Sequence, residues 1–127
     1  MQVIVSSAQP DTAMDDALPS DLRIAAQIRI AARAGIPMTV LHKGHAQSGT
    51  IYLKLNRLDG TAEVLSQIRL EGELVWLSAS DGKPVPEREA DAYLQRQTDF
   101  DSDAWVIEIE DKQGRHWFPE KIIDSIA

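Results

Sequence analysis

The sequence has no cysteine, which removes disulfides, thiolate zinc sites and thiol catalysis together and fits a reducing compartment. It also lacks long apolar runs. None approaches the roughly 18 to 20 residues that a membrane-spanning helix requires, so no membrane insertion is expected. No basic residue precedes Arg23, and the apolar run Val3-Ile4-Val5 is too short for a secretory signal. The expectation is a soluble, cytoplasmic protein. Motifs with defined chemistry are missing as well: there is no G-x-S-x-G elbow, Walker loop or G-x-G-x-x-G turn. No catalytic set and no cofactor is assigned.

What is present suffices for one domain, because a chain of 127 residues buries roughly two-thirds of its unfolded surface. Residues 1–19 are rich in Ser, Asp and Pro (Ser6, Ser7, Pro10, Asp11, Asp15, Asp16, Pro19) and show no periodicity. They read as a disordered leader, with a short strand at Val3–Val5 as the alternative, ahead of a single domain over 20–127. The formal net charge of -7 opposes indiscriminate binding to nucleic acid or anionic lipid. The charge is unevenly placed. Residues 22–58 hold Arg23, Arg29, Arg33, Lys43, Lys54 and Arg57 and no acid, while 59–127 hold 16 acids against 7 bases.

The pattern predicts an α+β fold with an antiparallel sheet of about five strands and two main helices. The first helix is expected at about 21–34, capped by Ser20, ended by a left-handed Gly35 and packed through Ile24, Ile28, Ala31 and Ala32. A short strand follows at 37–42. Residues 49–58 alternate before Asp59-Gly60, a strong hairpin signal. Two-residue turns at Asp59-Gly60 and Glu71-Gly72 set Leu53 opposite Ser66 and Ile68 opposite Val75. The result is a three-stranded meander over 49–79 with Ile51, Leu53, Leu55, Val64 and Val75 on one face. A second helix is expected at 86–97 with Ala90, Tyr93 and Leu94 inward, then a strand at 104–110 with Trp105, Ile107 and Ile109 on one side. Asp111 to Gly114 turns the chain, 115–118 is a candidate to pair back, and the isoleucine-rich tail suggests a short terminal helix.

The other face of that meander would show Tyr52, Lys54, Asn56, Gln67 and Trp76, more apolar surface than a solvated face normally carries. It is the expected contact site for an unknown protein partner or a second copy of the chain. The basic segment 22–58 supports an alternative, RNA or nucleotide binding. There Arg29, Lys54 and Arg57 would serve as anion-binding groups and Tyr52 and Trp76 as stacking surfaces. The overall acidity disfavours nucleic acid.

The segments GTIYLKLNRLDG at 49–60, RAGI at 33–36, ADAYL at 90–94, DAWVIEIED at 103–111 and GRH at 114–116 together resemble a bacterial family, the domain of unknown function 1491. The resemblance covers about residues 22–118. It implies a small bacterial domain and brings no activity, cofactor or catalytic residue.

Two further patterns carry recognisable chemistry. Asp99, Asp101, Asp103, the Trp105 carbonyl and Glu110 match ligand positions of a calcium-binding EF-hand loop. However, Ala104 replaces the required glycine, and the residues from Trp105 onward alternate as a strand where an exit helix is needed. His42, His45 and the distant His116 have no spacing that predicts convergence on a metal. No metal site is assigned. His116 or His45 with neighbouring carboxylates defines a third functional alternative, a small hydrolase or isomerase. The leading reading is a non-catalytic interaction or regulatory module.

Overall fold

The structure, a computed structural model, describes residues 18–126. Of the leader expected over 1–19, residues 1–17, and with them the alternative of a strand at Val3–Val5, lie outside the described residues. Helix α1 spans Ser20–Arg33. Ser20 does not cap it as expected. Pro19 holds the cap position, and Ser20 Oγ instead donates to the Gly49 carbonyl at 3.1 Å. The other end forms as read: Gly35 has φ +76°, its N–H reaches the Ala32 carbonyl, and the Ile36 N–H reaches Ala31, the paired closure of a Schellman motif. Ile24 and Ala31 are buried and Ile28 half-buried, whereas Ala32 faces outward.

The strands are β1 (Met38–His42), β2 (Ile51–Asn56), β3 (Thr61–Leu70), β4 (Glu73–Ser78), β5 (Val85–Pro86), β6 (Trp105–Glu110) and β7 (Ile122–Ile123). Helix α2 (Glu87–Phe100) lies between β5 and β6, close to the expected 86–97. Among the described residues the sheet has seven strands in the order β1-β6-β2-β3-β4-β7, with β5 added beside β3. The expected count of about five is low by two, because β5 and β7 are two-residue pieces with no pattern long enough to read. The sheet is mostly antiparallel, with parallel pairing between β2 and β6 and between β4 and β7. The tail is therefore not a helix at 122–123. Its β-branched isoleucines extend the sheet edge, and Trp76 N–H donates to the Lys121 carbonyl at 2.9 Å. Residues 115–118 form no strand.

One register differs from expectation. The β3–β4 hairpin turns at Glu71-Gly72, both with positive φ, and pairs Ile68 with Val75 as read. The β2–β3 hairpin pairs Leu53 with Leu65 rather than Ser66, because its turn holds three residues, Leu58 to Gly60. Leu58 is left-handed (φ +63°), its N–H donates to Asn56 Oδ1 at 2.8 Å, and Asp59 accepts from both the N–H and the hydroxyl of Thr61. A slip of one residue exchanges faces. Leu65, Gln67 and Trp76 therefore share a face with Ile51, Leu53 and Leu55, while Val64 and Val75 lie on the other.

Two cores result. On one face α1 covers Leu53, Leu55, Leu65, Trp76, Ile107 and Ile109. On the other, Ala90 and Leu94 of α2 cover Ala62, Val64 and Val106. The helices thus lie on opposite sides of the sheet and carry opposite charge: α1 has three arginines against one aspartate, α2 four acids against two arginines.

The loop before β2 packs closely on the α2–β6 connection. Trp105 Nε1 donates to the His45 carbonyl at 2.8 Å, and a Cβ at Gly49 would overlap the Asp103 carbonyl oxygen and the Trp105 ring. Gly49→Ala is accordingly expected to cost about 2 kcal/mol, checked by urea denaturation, since the obstructing group is backbone and has little room to move.

Candidate functional site

Lys54 projects from β2 beneath α2, with its side chain only 5% exposed. Its Nζ lies 2.7 Å from Glu87 and 2.7 Å from Asp91 on α2, and 3.3 Å from Glu108 on β6. Asn56 Nδ2 donates to Glu108 at 3.0 Å and to Glu87 at 3.4 Å. Burial alone would lower the lysine pKa. The hydrogen bonds to Asp91 and Glu87 and the charge of Glu108 outweigh it, holding the ammonium above its ordinary range. A lysine kept protonated in this way fastens α2 to the sheet and is a poor nucleophile.

The five residues expected to form one contact face are divided by the altered register. Tyr52, Lys54 and Asn56 lie on the α2 side, where Lys54 and Asn56 are buried and the Tyr52 hydroxyl donates to Gln97 at 3.4 Å. Burial, then Tyr93 and Asp101, raises the Tyr52 pKa. Gln67 and Trp76 lie on the α1 side, and Trp76 is 0% exposed. Its Nε1 donates to Glu120 at 3.2 Å and its ring stands edge-on to Phe118. The anion-binding set separates likewise: Arg29 is exposed on α1, Lys54 is enclosed under α2, and Arg57 is half-buried against Gly114.

The histidines do not converge. His42 Nδ1 meets the Ala104 carbonyl at 2.8 Å and His116 Nε2 the Glu120 carbonyl at 2.7 Å, while His45 Nδ1 accepts from the backbone of Gln47 and Ser48. In the acidic loop, β6 begins at Trp105, where an EF-hand needs its exit helix. Asp111, expected in a turn and as a carboxylate neighbour of His116, is buried and gathers Arg115 Nε, Trp117 Nε1 and the Gln113 N–H at 2.7–2.8 Å. Burial would raise its pKa, and these bonds lower it overall.

A broad cleft beside α1 escaped the sequence entirely. With a volume of about 970 Å³, it runs between α1 (Leu22, Arg23, Ala26), the β3–β4 hairpin (Arg69, Leu74) and the segment Phe118–Lys121. Beyond Arg23 lies a second lobe of about 280 Å³, bounded by Ser20, Gln47 to Thr50 and Gln67. Leu18, Arg23, Arg69 and Leu74 line both lobes; the larger also carries Glu71, Glu73 and Glu120, and Glu120 lies 3.9 Å from Arg23 Nη2. Leu18 and Leu22 are 58% and 57% exposed. Arg23 Nη2 donates to Gln67 Oε1 at 2.6 Å and Arg69 Nη1 to the Gly72 carbonyl at 2.8 Å, which orients both guanidinium groups along the walls. Its three walls are remote in sequence, so no local pattern announces it.

A family model described as "Protein of unknown function (DUF1491)" matches residues 18–119. A crystal structure of a DUF1491 family protein from Caulobacter crescentus CB15 is similar over 84% of this chain and 97% of that one, with 36% identity and a TM-score of 0.73. An NMR structure of a DUF1491 family protein from the same organism gives 37% identity, 84% and 96% coverage and a TM-score of 0.72. A solution structure of an A. tumefaciens protein gives 28% identity, 74% and 86% coverage and a TM-score of 0.64. No curated protein matches the chain.

Proposed function

The chain belongs to the DUF1491 family, and from that premise we propose a non-catalytic protein-interaction module that seats an apolar segment of a partner in the cleft beside α1. The observation that carries this reading is the cleft's lining, with solvent-exposed Leu18 and Leu22 next to the guanidinium groups of Arg23 and Arg69. Arginine is enriched at protein contact sites, and burying the two exposed leucines against a partner would remove their apolar surface from water. The full burial of Trp76 weighs against the RNA reading, which needs its ring as a stacking surface. The hydrolase reading loses support from His116, whose Nε2 is held by a backbone carbonyl. A cytoplasmic setting forms part of the same proposal. Among the described residues no helix is long and apolar enough to cross a membrane.

Leu22→Asp and Ala26→Glu place charge in the cleft at positions where α1 is exposed and leave its buried stripe intact. Each is expected to weaken capture of the partner retained by the wild-type chain by roughly tenfold or more, with unchanged circular dichroism. Val40→Asp, on exposed β1 away from the cleft, serves as control and should capture normally. Equal capture by all three variants would remove the cleft from the interaction.

A further inference from the structure

Leu18, the first described residue, lines both lobes of the cleft and is 58% exposed. An apolar residue just ahead of a helix cap often folds back onto the fourth helical residue. Here Pro19 holds the cap position and the fourth residue is Arg23, whose Nη2 donates to Gln67 Oε1 at 2.6 Å and lies 3.9 Å from Glu120. Leu18 therefore has no apolar seat on α1 and turns to the cleft instead. The backbone just after it is fixed beside the smaller lobe, with Ser20 N–H donating to the Gln47 carbonyl and Asp21 N–H to the Ala46 carbonyl. The chain that precedes Leu18 is thus delivered to the mouth of the cleft by its own connection.

Charge does not choose the occupant. The larger lobe sets Arg23, Arg69 and Lys121 against Glu71, Glu73 and Glu120, so its walls favour neither sign. What they offer a ligand is apolar surface on Leu18, Leu22, Ala26 and Leu74. Residues 1–17 contain a compact apolar run, Val3-Ile4-Val5, and no Lys or Arg. The stretch 6–17 between that run and Leu18 reaches up to roughly 40 Å, against roughly 21 Å for the whole length of α1, so the run can lie along either wall. We propose, resting on the docking role of the cleft, that the Val3-Ile4-Val5 run of the same chain is its resident ligand and competes with the partner for Leu22 and Leu74. Tethering makes up for the small size of the run. An end held in this way has an effective concentration on the order of 1 mM, at which a contact with a millimolar dissociation constant is about half made. The partner's apparent affinity then falls in proportion to the fraction of chains whose cleft is open.

The chain has no cysteine, so Ser6→Cys gives a unique attachment point for a nitroxide spin label beside the run. In amide NMR spectra of the labelled full chain, Ala26 and Leu74 are expected to lose roughly half their intensity, to an extent unchanged on dilution. The same labelled chain carrying Ile4→Asp keeps the tether and loses the apolar anchor, so both signals should recover. Val40, on β1 away from the cleft, should keep its intensity in both. Equal Ala26 and Leu74 intensities in the two labelled chains overturn the inference, as does broadening that disappears on dilution, which would place one copy's run in another's cleft. Competition is read with the unlabelled chain: Ile4→Asp should capture the partner roughly threefold more tightly than wild type, and unchanged capture overturns it. Matching labelled chains alongside weakened capture by Leu22→Asp refute self-occupancy and leave the docking role standing. Broadened cleft signals alongside normal capture by Leu22→Asp remove the docking role and leave the intramolecular contact standing.

Discussion

Trp76→Ala is expected to cost about 4 kcal/mol of folding stability, the range for emptying a buried aromatic site. The indole is 0% exposed and packs against Phe118 at 5.1 Å and His116 at 6.4 Å between ring centroids. Its removal leaves a void beside Leu65 and Ile51 and deprives Glu120 of the Nε1–H donor. Trp76→Phe keeps most of the volume, loses that hydrogen bond and should cost about 1–2 kcal/mol. Equilibrium denaturation monitored by circular dichroism decides the matter. A solvent-facing tryptophan would give an alanine variant within about 0.5 kcal/mol of wild type, which would contradict the register of β2 and β3.

Lys54→Met should be nearly as damaging, at about 3 kcal/mol. It fills the same channel with an apolar chain but leaves Glu87, Asp91 and Glu108 facing one another without their cation. Glu87 and Asp91 are 39% and 53% exposed, so water screens part of the repulsion, which sets the value at the lower end of the range for a broken buried pair. The pH dependence separates charge from packing. In the wild type the folded pKa of Lys54 lies above its ordinary 10.5, so its contribution is complete below pH 10.5 and is lost only as pH rises through the folded value. Wild-type stability is therefore expected to fall on this account as pH rises above 10.5, a loss that Lys54→Met should lack, and an equal loss in both would refute the charge argument.

Much of the architecture was legible where one local pattern dominates. The Gly35 stop and periodicity of α1, the periodicity of α2 and the alternation of Trp105, Ile107 and Ile109 each recovered their element and most of its inner face, while the Ser20 cap and the inward Ala32 did not hold. Glu71-Gly72 set its hairpin register because two left-handed residues close a two-residue turn. Leu58-Asp59-Gly60 misled for the same physical reason in reverse. A leucine in the left-handed region is uncommon, and here the Asn56 and Asp59 side chains stabilise it, a competition between local hydrogen bonds that composition does not rank. That single extra residue moved Trp76 and Gln67 away from Tyr52, Lys54 and Asn56. The partners of Lys54 come from α2 and β6, and the cleft walls from three remote segments, so neither site could be assembled before the chain was folded.

The placement of an arginine-bearing helix on one side of the sheet and an acid-bearing helix on the other has a kinetic reading. It sets a net positive helix on one side of the sheet and a net negative one on the other, a difference felt by an approaching protein over roughly 10 Å at 0.1 M salt. Visitors are turned before they touch, so their orientation on arrival is biased while most of the water between the surfaces is still in place.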